Sequence, residues 1–135
     1  MKEYQFSELQ KLKYGENPHQ QANLCSYAGM VDYDVLFNRE LSYDNILNLN
    51  AVCEILSEFY DVNAVAITKH NNCCGVALGA TLDEAYEKAF DCDPIGAFYG
   101  TIGFSKAVTL ELAKHIGSMG VKVIVAPYYQ DDAKE

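Results

Sequence analysis

The sequence predicts an α/β fold in which helices cover the faces of a mixed sheet. Short apolar runs of the kind found in buried strands alternate with stretches whose apolar residues recur at helical spacing. In chain order the segments read as two strands, a helix, a strand, a helix, a strand, a helix and a strand. Strands that alternate with helices in this way form a sheet with those helices on its faces.

Length, composition and charge narrow the classes of protein. The 135 residues are 50% hydrophobic and carry a formal net charge of −9, which predicts a single globular domain over residues 1–135. A chain this acidic, with Arg39 as its one arginine, lacks the basic stripe that binds nucleic acid. No apolar run approaches the ~18 residues of a membrane span. We therefore expect a cytoplasmic protein that binds neither nucleic acid nor membranes.

The first half of the chain is predicted to contain two short strands and one long helix. Residues 1–13 are expected to form a polar lead-in with a weak amphipathic pattern, and residues 14–20 a turn-rich connector. The strands are predicted over residues 22–27 and 33–38. The helix is predicted over residues 44–60, because apolar residues recur there at helical spacing.

The start of that helix is rich in polar residues. Ser42 or Asp44 can cap it. Asn45, Asn48 and Asn50 are poor helix formers, so they indicate either a face kept for hydrogen bonding or an ordinary solvated face.

The second half of the chain is predicted to alternate strands and helices. A buried strand over residues 64–67 leads into a small-residue loop that ends at Gly75, and a capping signature at residues 81–84 opens a helix that ends at Asp93-Pro94. The remaining predicted elements are a glycine-rich strand over residues 96–104, a helix over residues 110–116 and a strand over residues 121–126.

The buried strand is followed by Thr68, Lys69 and His70 in succession. The carboxyl ends of strands are where open α/β sheets bind ligands. A lysine and a histidine at such an end supply a cation and a group that titrates near neutral pH. An ordinary surface turn is the alternative interpretation.

The five cysteines do not form the pattern of a secreted disulfide framework. Those beside apolar segments are predicted to be buried thiols: Cys25, Cys53 and Cys92. Cys73 and Cys74 are adjacent, which is unsuitable for one zinc ion, so no metal site is expected. A small thiol-dependent enzyme, in which either of these two is paired with a histidine (His70 or His19), stays an alternative.

Five stretches carry a family resemblance. Residues 12–20 read L-K-Y-G-E-N-P-H-Q and closely resemble the L-R-Y-G-x-N-P-H-Q motif of AICAR transformylase. That domain belongs to the bifunctional purine enzyme that also carries IMP cyclohydrolase. The other similar stretches follow in the same order: residues 40–47, 68–77, 85–98 and 123–127.

The resemblance implies a fold similar to cytidine deaminase, and it implies that this chain corresponds to the first of two such units in a transformylase domain. The second unit and the cyclohydrolase domain would lie outside it. The implied reaction belongs to purine (IMP) biosynthesis and transfers a formyl group from 10-formyltetrahydrofolate to the 5-amino group of AICAR, giving FAICAR. Folate is the cosubstrate, no metal is required, and the family works as a homodimer.

The resemblance also implies roles for individual residues. His70 would be the catalytic base and Lys69 the cation beside it. The substrate-binding residues would be Lys13, a phosphate partner, with Tyr14, Asn45 and Tyr99 around the nucleotide.

At four positions the chain departs from the family pattern. Lys13 replaces arginine, Cys73 replaces proline, Tyr99 replaces the first glycine of an S-A-F-G-G run, and Lys122 stands where an acidic residue is expected. Where that glycine allows close backbone approach, a tyrosine would fill the pocket. The alternative function is therefore a diverged or truncated non-catalytic domain of the same fold that binds a nucleotide or another protein.

Overall fold

The computed structural model describes residues 3–28, 33–36, 40–117 and 120–134. The chain divides into two compact units, Met1–Ile46 and Leu47–Glu135. Within the described ranges, no helix is long and apolar enough to cross a membrane. The elements are β1 (Phe6–Leu12), β2 (Ala22–Tyr27), α1 (Tyr43–Ser57), β3 (Ala64–Lys69), β4 (Asn72–Leu78), α2 (Leu82–Cys92), α3 (Pro94–Ala97), β5 (Thr101–Phe104), α4 (Leu110–Gly117) and β6 (Val123–Val125), followed by a 3-10 turn at Asp131–Lys134.

The first unit contains an antiparallel pair of strands. β1 pairs with β2 from Phe6 opposite Tyr27 to Leu12 opposite Ala22. The predicted polar lead-in is therefore wrong over residues 6–12, because pairing with β2 makes an extended strand from a stretch whose apolar residues recur every three positions. The strand predicted over residues 33–38 is wrong for residues 33–36, which form no strand, while residues 37 and 38 lie outside the described residues.

The second unit contains a four-stranded mixed sheet in the order β4-β3-β5-β6. β3 runs antiparallel to both of its neighbours, and β5 runs parallel to β6. This arrangement confirms the predicted mixed α/β sheet. The likeness to cytidine deaminase stays a prediction.

Side chains that alternate along β3 build two cores, one on each face of the sheet. Val65 and Ile67 pack in a cluster with residues of α2 and α4, whereas Ala64 and Ala66 pack with Val52 and with Leu56, another residue of α1. The α1 side of the sheet is lined by small residues, and Gly103 of β5 belongs to that lining. A Cβ at Gly103 would lie 2.6 Å from a methyl group of Leu56, so α1 packs directly on the backbone.

Several predicted segments have other bounds than expected. β3 continues to Lys69, two residues past its predicted end, and β6 covers Val123–Val125 rather than residues 121–126. α1 ends at Ser57, three residues before the predicted end. The glycine-rich segment is a strand only from Thr101 onward, because Asp93 accepts a 2.8 Å hydrogen bond from the N–H of Gly96 and so starts the short helix α3. The capping signature of α2 is confirmed, since the Thr81 hydroxyl accepts a hydrogen bond from the N–H of Glu84.

Candidate functional site

The Lys–His pair lies on a tight hairpin at one end of the second unit's sheet. Lys69 ends β3, Asn72 begins β4, and these two residues pair across the ladder. The two residues between them, His70 and Asn71, have φ angles of 50° and 59°. Two central residues with positive φ define the type I′ turn that matches the twist of a hairpin. His70 is thus presented, exposed, at the tip of a two-residue turn.

The prediction of a small-residue loop that ends at Gly75 is therefore wrong, because the chain turns at His70 and Asn71 and forms β4 from Asn72 onward. His-Asn is a weaker turn signal than Asn-Gly, although both residue types visit the left-handed region more readily than most. Gly75 has another role within β4. A Cβ there would lie 1.9 Å from the backbone oxygen of Ala89, so the glycine allows α2 to approach the strand closely.

Lys69 connects the hairpin to the segment before β5. Its ammonium donates a 2.7 Å hydrogen bond to the backbone oxygen of Phe98, and the side chain is half-buried. Because β5 is antiparallel to β3, Thr101 at the start of β5 pairs with Thr68. The N–H of Lys122 donates to the oxygen of Gly100 at 3.2 Å, which brings Lys122 to the same end of the sheet.

Tyr99 adopts an unusual backbone conformation beside Lys69's acceptor. Its φ is 59°, in the left-handed region that favours glycine. Its ring meets that of Phe98 edge to face, with centroids 4.3 Å apart, and the residue is 51% exposed. The sequence suggested that glycine at this position would leave room in the pocket. The structure adds a second reason, because glycine also adopts this backbone conformation without strain.

The other three predicted site residues lie in the first unit and surround the start of α1. The N–H of Lys13 donates to the oxygen of Leu41 at 2.9 Å, and the oxygen of Tyr14 accepts from the N–H of Tyr43 at 3.2 Å. The Lys13 side chain is exposed and Tyr14 is half-buried.

Asn45 has a structural role at the beginning of α1. Its Oδ1 accepts hydrogen bonds from both the N–H and the hydroxyl of Ser42, each at 3.0 Å, and its own N–H donates to that hydroxyl at 3.3 Å. This reciprocal arrangement caps the helix, and of the two predicted caps it is Ser42 that serves. The side-chain nitrogen of Asn45, Nδ2, takes no part in the cap.

Asn48 is the residue that the sequence interpretation left outside the site. Its Oδ1 accepts a 2.9 Å hydrogen bond from the N–H of Asn71, and it is 3% exposed. The signal was present in the sequence. Asn48 precedes Val52 by four residues and Leu56 by eight, so it lies on the buried face of α1.

The cysteines differ from their predicted environments. Cys25, Cys53 and Cys92 were expected to be buried, but all three are exposed. Cys25 and Cys53 each adjoin the residue of their element that is buried instead, Ser26 and Val52, and Cys92 is the last residue of α2. Burial raises the pKa of the Cys73 thiol, an effect that a hydrogen bond from Gly75 partly opposes. Burial also raises the pKa of the Cys74 thiol.

A raised pKa leaves less of the nucleophilic thiolate at neutral pH, which disfavours the thiol-dependent alternative. In the ranges that the structure describes, no group of three or more His, Cys, Asp or Glu side chains could hold a metal ion. The absence of a metal requirement stays a prediction.

The second unit is an α/β sheet with helices on both faces, and a hairpin at one end of that sheet carries a lysine and a histidine. The class of protein is therefore an α/β protein with a candidate acid–base site. The model of the AICARFT/IMPCHase bienzyme family matches residues 1–135, and the chain belongs to that family.

Its relatives include proteins called "Bifunctional purine biosynthesis protein PurH". The one from Aquifex aeolicus (strain VF5) is 40% identical over 129 residues, which are 93% of this chain and 26% of the relative. The one from Ruegeria sp. (strain TM1040) is 46% identical over 131 residues, 93% of this chain and 25% of the relative. The chain spans about a quarter of the length of these relatives.

Proposed function

We propose that this chain carries the Lys–His part of an AICAR formyltransferase site in purine biosynthesis. The observation that carries the proposal is the hairpin at the end of the mixed sheet, which presents His70 while Lys69 is held half-buried beside it. Family membership supports the reaction class. The chain is proposed to be the first transformylase unit, with a second unit and a cyclohydrolase domain belonging to the complete enzyme.

The proposed reaction transfers a formyl group between two nitrogens. The 5-amino group of AICAR attacks the formyl carbon of 10-formyltetrahydrofolate, and a tetrahedral oxyanion forms. The new C–N bond is completed as the bond to the folate N10 breaks. One proton leaves the attacking amine, and one proton is delivered to N10, so the reaction is balanced without any further reactant.

His70 is the proposed proton acceptor. The amine of AICAR is a weak nucleophile, because its lone pair is delocalised into the ring and the carboxamide, so a base must remove its proton as the bond forms. An exposed imidazole at the tip of a turn can reach a bound ligand, and a histidine suits this task near neutral pH.

Lys69 is the proposed cation for the developing oxyanion. An ammonium group has three N–H donors, and one of them is directed to the oxygen of Phe98. That bond fixes the position of the charge before the substrate arrives, which is what electrostatic stabilisation of a transition state requires.

The first unit supplies the proposed nucleotide contacts. The exposed Lys13 suits a phosphate as a point charge, although it lacks the two-pronged geometry of arginine. Tyr14 and the amide nitrogen of Asn45 are proposed to complete the contacts, and Tyr99 is proposed to lie beside the nucleotide. The folate cosubstrate, the homodimer and the cytoplasmic location are part of the same proposal, as is the absence of metal, nucleic acid and membrane partners.

Calorimetric titration with AICAR tests the proposal on three proteins: the native chain, His70→Ala and Tyr99→Gly. We expect the native chain to bind with a Kd of about 1 mM or better, His70→Ala to bind more weakly, and Tyr99→Gly to bind more tightly. Circular dichroism checks that each protein is folded. Absence of heat from all three folded proteins would overturn the proposal.

The alternative is a non-catalytic domain of the same fold, and Tyr99 is the observation that favours it. A half-exposed aromatic ring occupies the position where the family has a glycine. If Tyr99→Gly gains AICAR binding that the native chain lacks, the native chain has kept the fold while its site is blocked.

A further inference from the structure

Asn48 lies beneath the hairpin that carries the Lys–His pair, and the proposed reaction assigns it no role. It contacts the hairpin twice. Its side-chain Oδ1 accepts the 2.9 Å hydrogen bond from the N–H of Asn71, and its backbone oxygen accepts a 2.9 Å hydrogen bond from the hydroxyl of Thr68. Asn48 thus binds both Thr68, in the strand before the turn, and Asn71, in the turn itself.

The turn needs such support because of its backbone conformation. His70 and Asn71 both have positive φ without being glycine, and residues in this strained region persist only where the surrounding structure fixes them. The ladder between paired strands also provides no acceptor for the N–H groups of residues inside a two-residue turn. Asn48 provides one of these acceptors from a buried position.

The hairpin has a second internal bond that limits the turn further. The side-chain amide of Asn72 donates to the backbone oxygen of His70 at 2.9 Å. The oxygen of His70 and the N–H of Asn71 belong to the same peptide group, so Asn72 and Asn48 together hold the peptide in the middle of the turn. The imidazole of His70 therefore projects from a turn whose central peptide is held at both of its polar atoms.

We propose that Asn48 is a positioning residue for His70: it fixes the left-handed turn so that the imidazole is presented in one backbone conformation. The part of this inference that concerns formyl transfer rests on the proposed function. The part that concerns the turn does not, because it requires only the bonds from Thr68 and Asn71.

Amide hydrogen exchange and 15N relaxation, measured by NMR on the chain without substrate, test the inference. We expect Asn48→Ala to speed exchange at Asn71 about tenfold or more, the effect of losing a hydrogen bond to a buried partner. The order parameters of His70 and Asn71 should fall, while Ile67 in the middle of β3 keeps its native exchange rate.

Two further variants supply the controls. Asn48→Asp keeps the oxygen acceptor and should restore slow exchange at Asn71. Asn50→Ala makes the same truncation on the same helix, at an exposed residue whose side chain bonds Glu54 instead, and should leave Asn71 unchanged. If Asn48→Ala does not fold, Thr68→Val removes the other bond at nearly constant volume and should loosen the turn in the same direction.

Unchanged exchange at Asn71 in Asn48→Ala would overturn the inference, and so would an equal rise at Ile67, since that would mean a general loss of packing. AICAR titration of the same variants separates the two proposals. A loosened turn in a chain that never binds AICAR supports the positioning role and contradicts the proposed function. A loosened turn together with weaker binding supports both.

Discussion

Tyr99 combines a left-handed backbone with a position where the family resemblance predicts glycine. A residue other than glycine in this region is strained, and here the strain is placed beside the oxygen that accepts Lys69's hydrogen bond. The contact between the Tyr99 and Phe98 rings offsets part of that cost. A tyrosine in place of the expected glycine therefore adds a ring at this end of the sheet and adds backbone strain there.

We expect Tyr99→Gly to raise the free energy of unfolding by up to about 1 kcal/mol, because glycine adopts this conformation without strain. Urea-induced unfolding measures the change. Tyr128→Gly is the matched control: Tyr128 is similarly exposed and is not among the described residues with positive φ, so glycine there should lower the stability by about 0.5–1 kcal/mol. A Tyr99→Gly protein less stable than Tyr128→Gly would contradict this account.

α2 lies so close to β4 at Gly75 that a side chain at this position would overlap the helix backbone. The Cβ of an alanine at Gly75 would overlap the backbone oxygen of Ala89 at 1.9 Å and approach the Cβ of Cys92 at 3.1 Å. Backbone atoms cannot rotate away as a flexible side chain can, so the whole helix would have to shift. The glycine in the T-K-H-N-N-C-C-G stretch thus fixes the spacing of two elements.

We expect Gly75→Ala to lower the free energy of unfolding by about 1–3 kcal/mol, the usual cost of overpacking. Thermal and urea unfolding report it. Gly117→Ala is the control, because a Cβ there would meet nothing within 4 Å, and its stability should stay within about 0.5 kcal/mol of native. Equal effects of the two substitutions would show that α2 does not pack on β4 as described.

For the molecule as a whole, stability in acid depends on carboxylates that are bonded in the folded state, and Glu84 is one of them. The hydrogen bond from Lys88 lowers the pKa of the Glu84 carboxyl, and a bond from the N–H of Ala80 lowers it further. A group with a lower pKa in the folded state stabilises the fold above its unfolded pKa of about 4.3, and this contribution is lost as the pH falls through the folded value.

We therefore expect Glu84→Gln to be less stable than the native chain at pH 7, with the difference shrinking as the pH falls below the unfolded pKa of about 4.3. Thermal unfolding across pH 3–7 measures it. Glu87→Gln removes the same charge from an exposed position of the same helix and should show a smaller difference with less dependence on pH. Should the Glu84→Gln difference persist undiminished in acid, the bonds to Lys88 and Ala80 would not be its source.

The sequence alone was sufficient to predict those elements that depend only on neighbouring residues. The capping box of α2 needs only Thr81 and Glu84, three residues apart, and the apolar run from Ala64 to Ile67 needs no partner to be recognised as buried. Lys69 and His70 were singled out in the same way, from their position after that apolar run. Their catalytic roles stay predictions.

Pairing between distant segments decided the rest, because a hydrogen bond to a partner far along the chain leaves no local periodicity. β1 became a strand only by pairing with β2, and β4 by folding back on β3 after two left-handed residues. The bond from Asn71 to Asn48 joins residues 23 positions apart, and Tyr99 with its left-handed φ lies in a turn closed by the bond from the N–H of Gly100 to the oxygen of Ala97. The residue types of the Lys–His pair were thus enough to propose its chemistry from the sequence. The position of the two side chains depends on backbone conformations that only the assembled sheet and α1 hold in place.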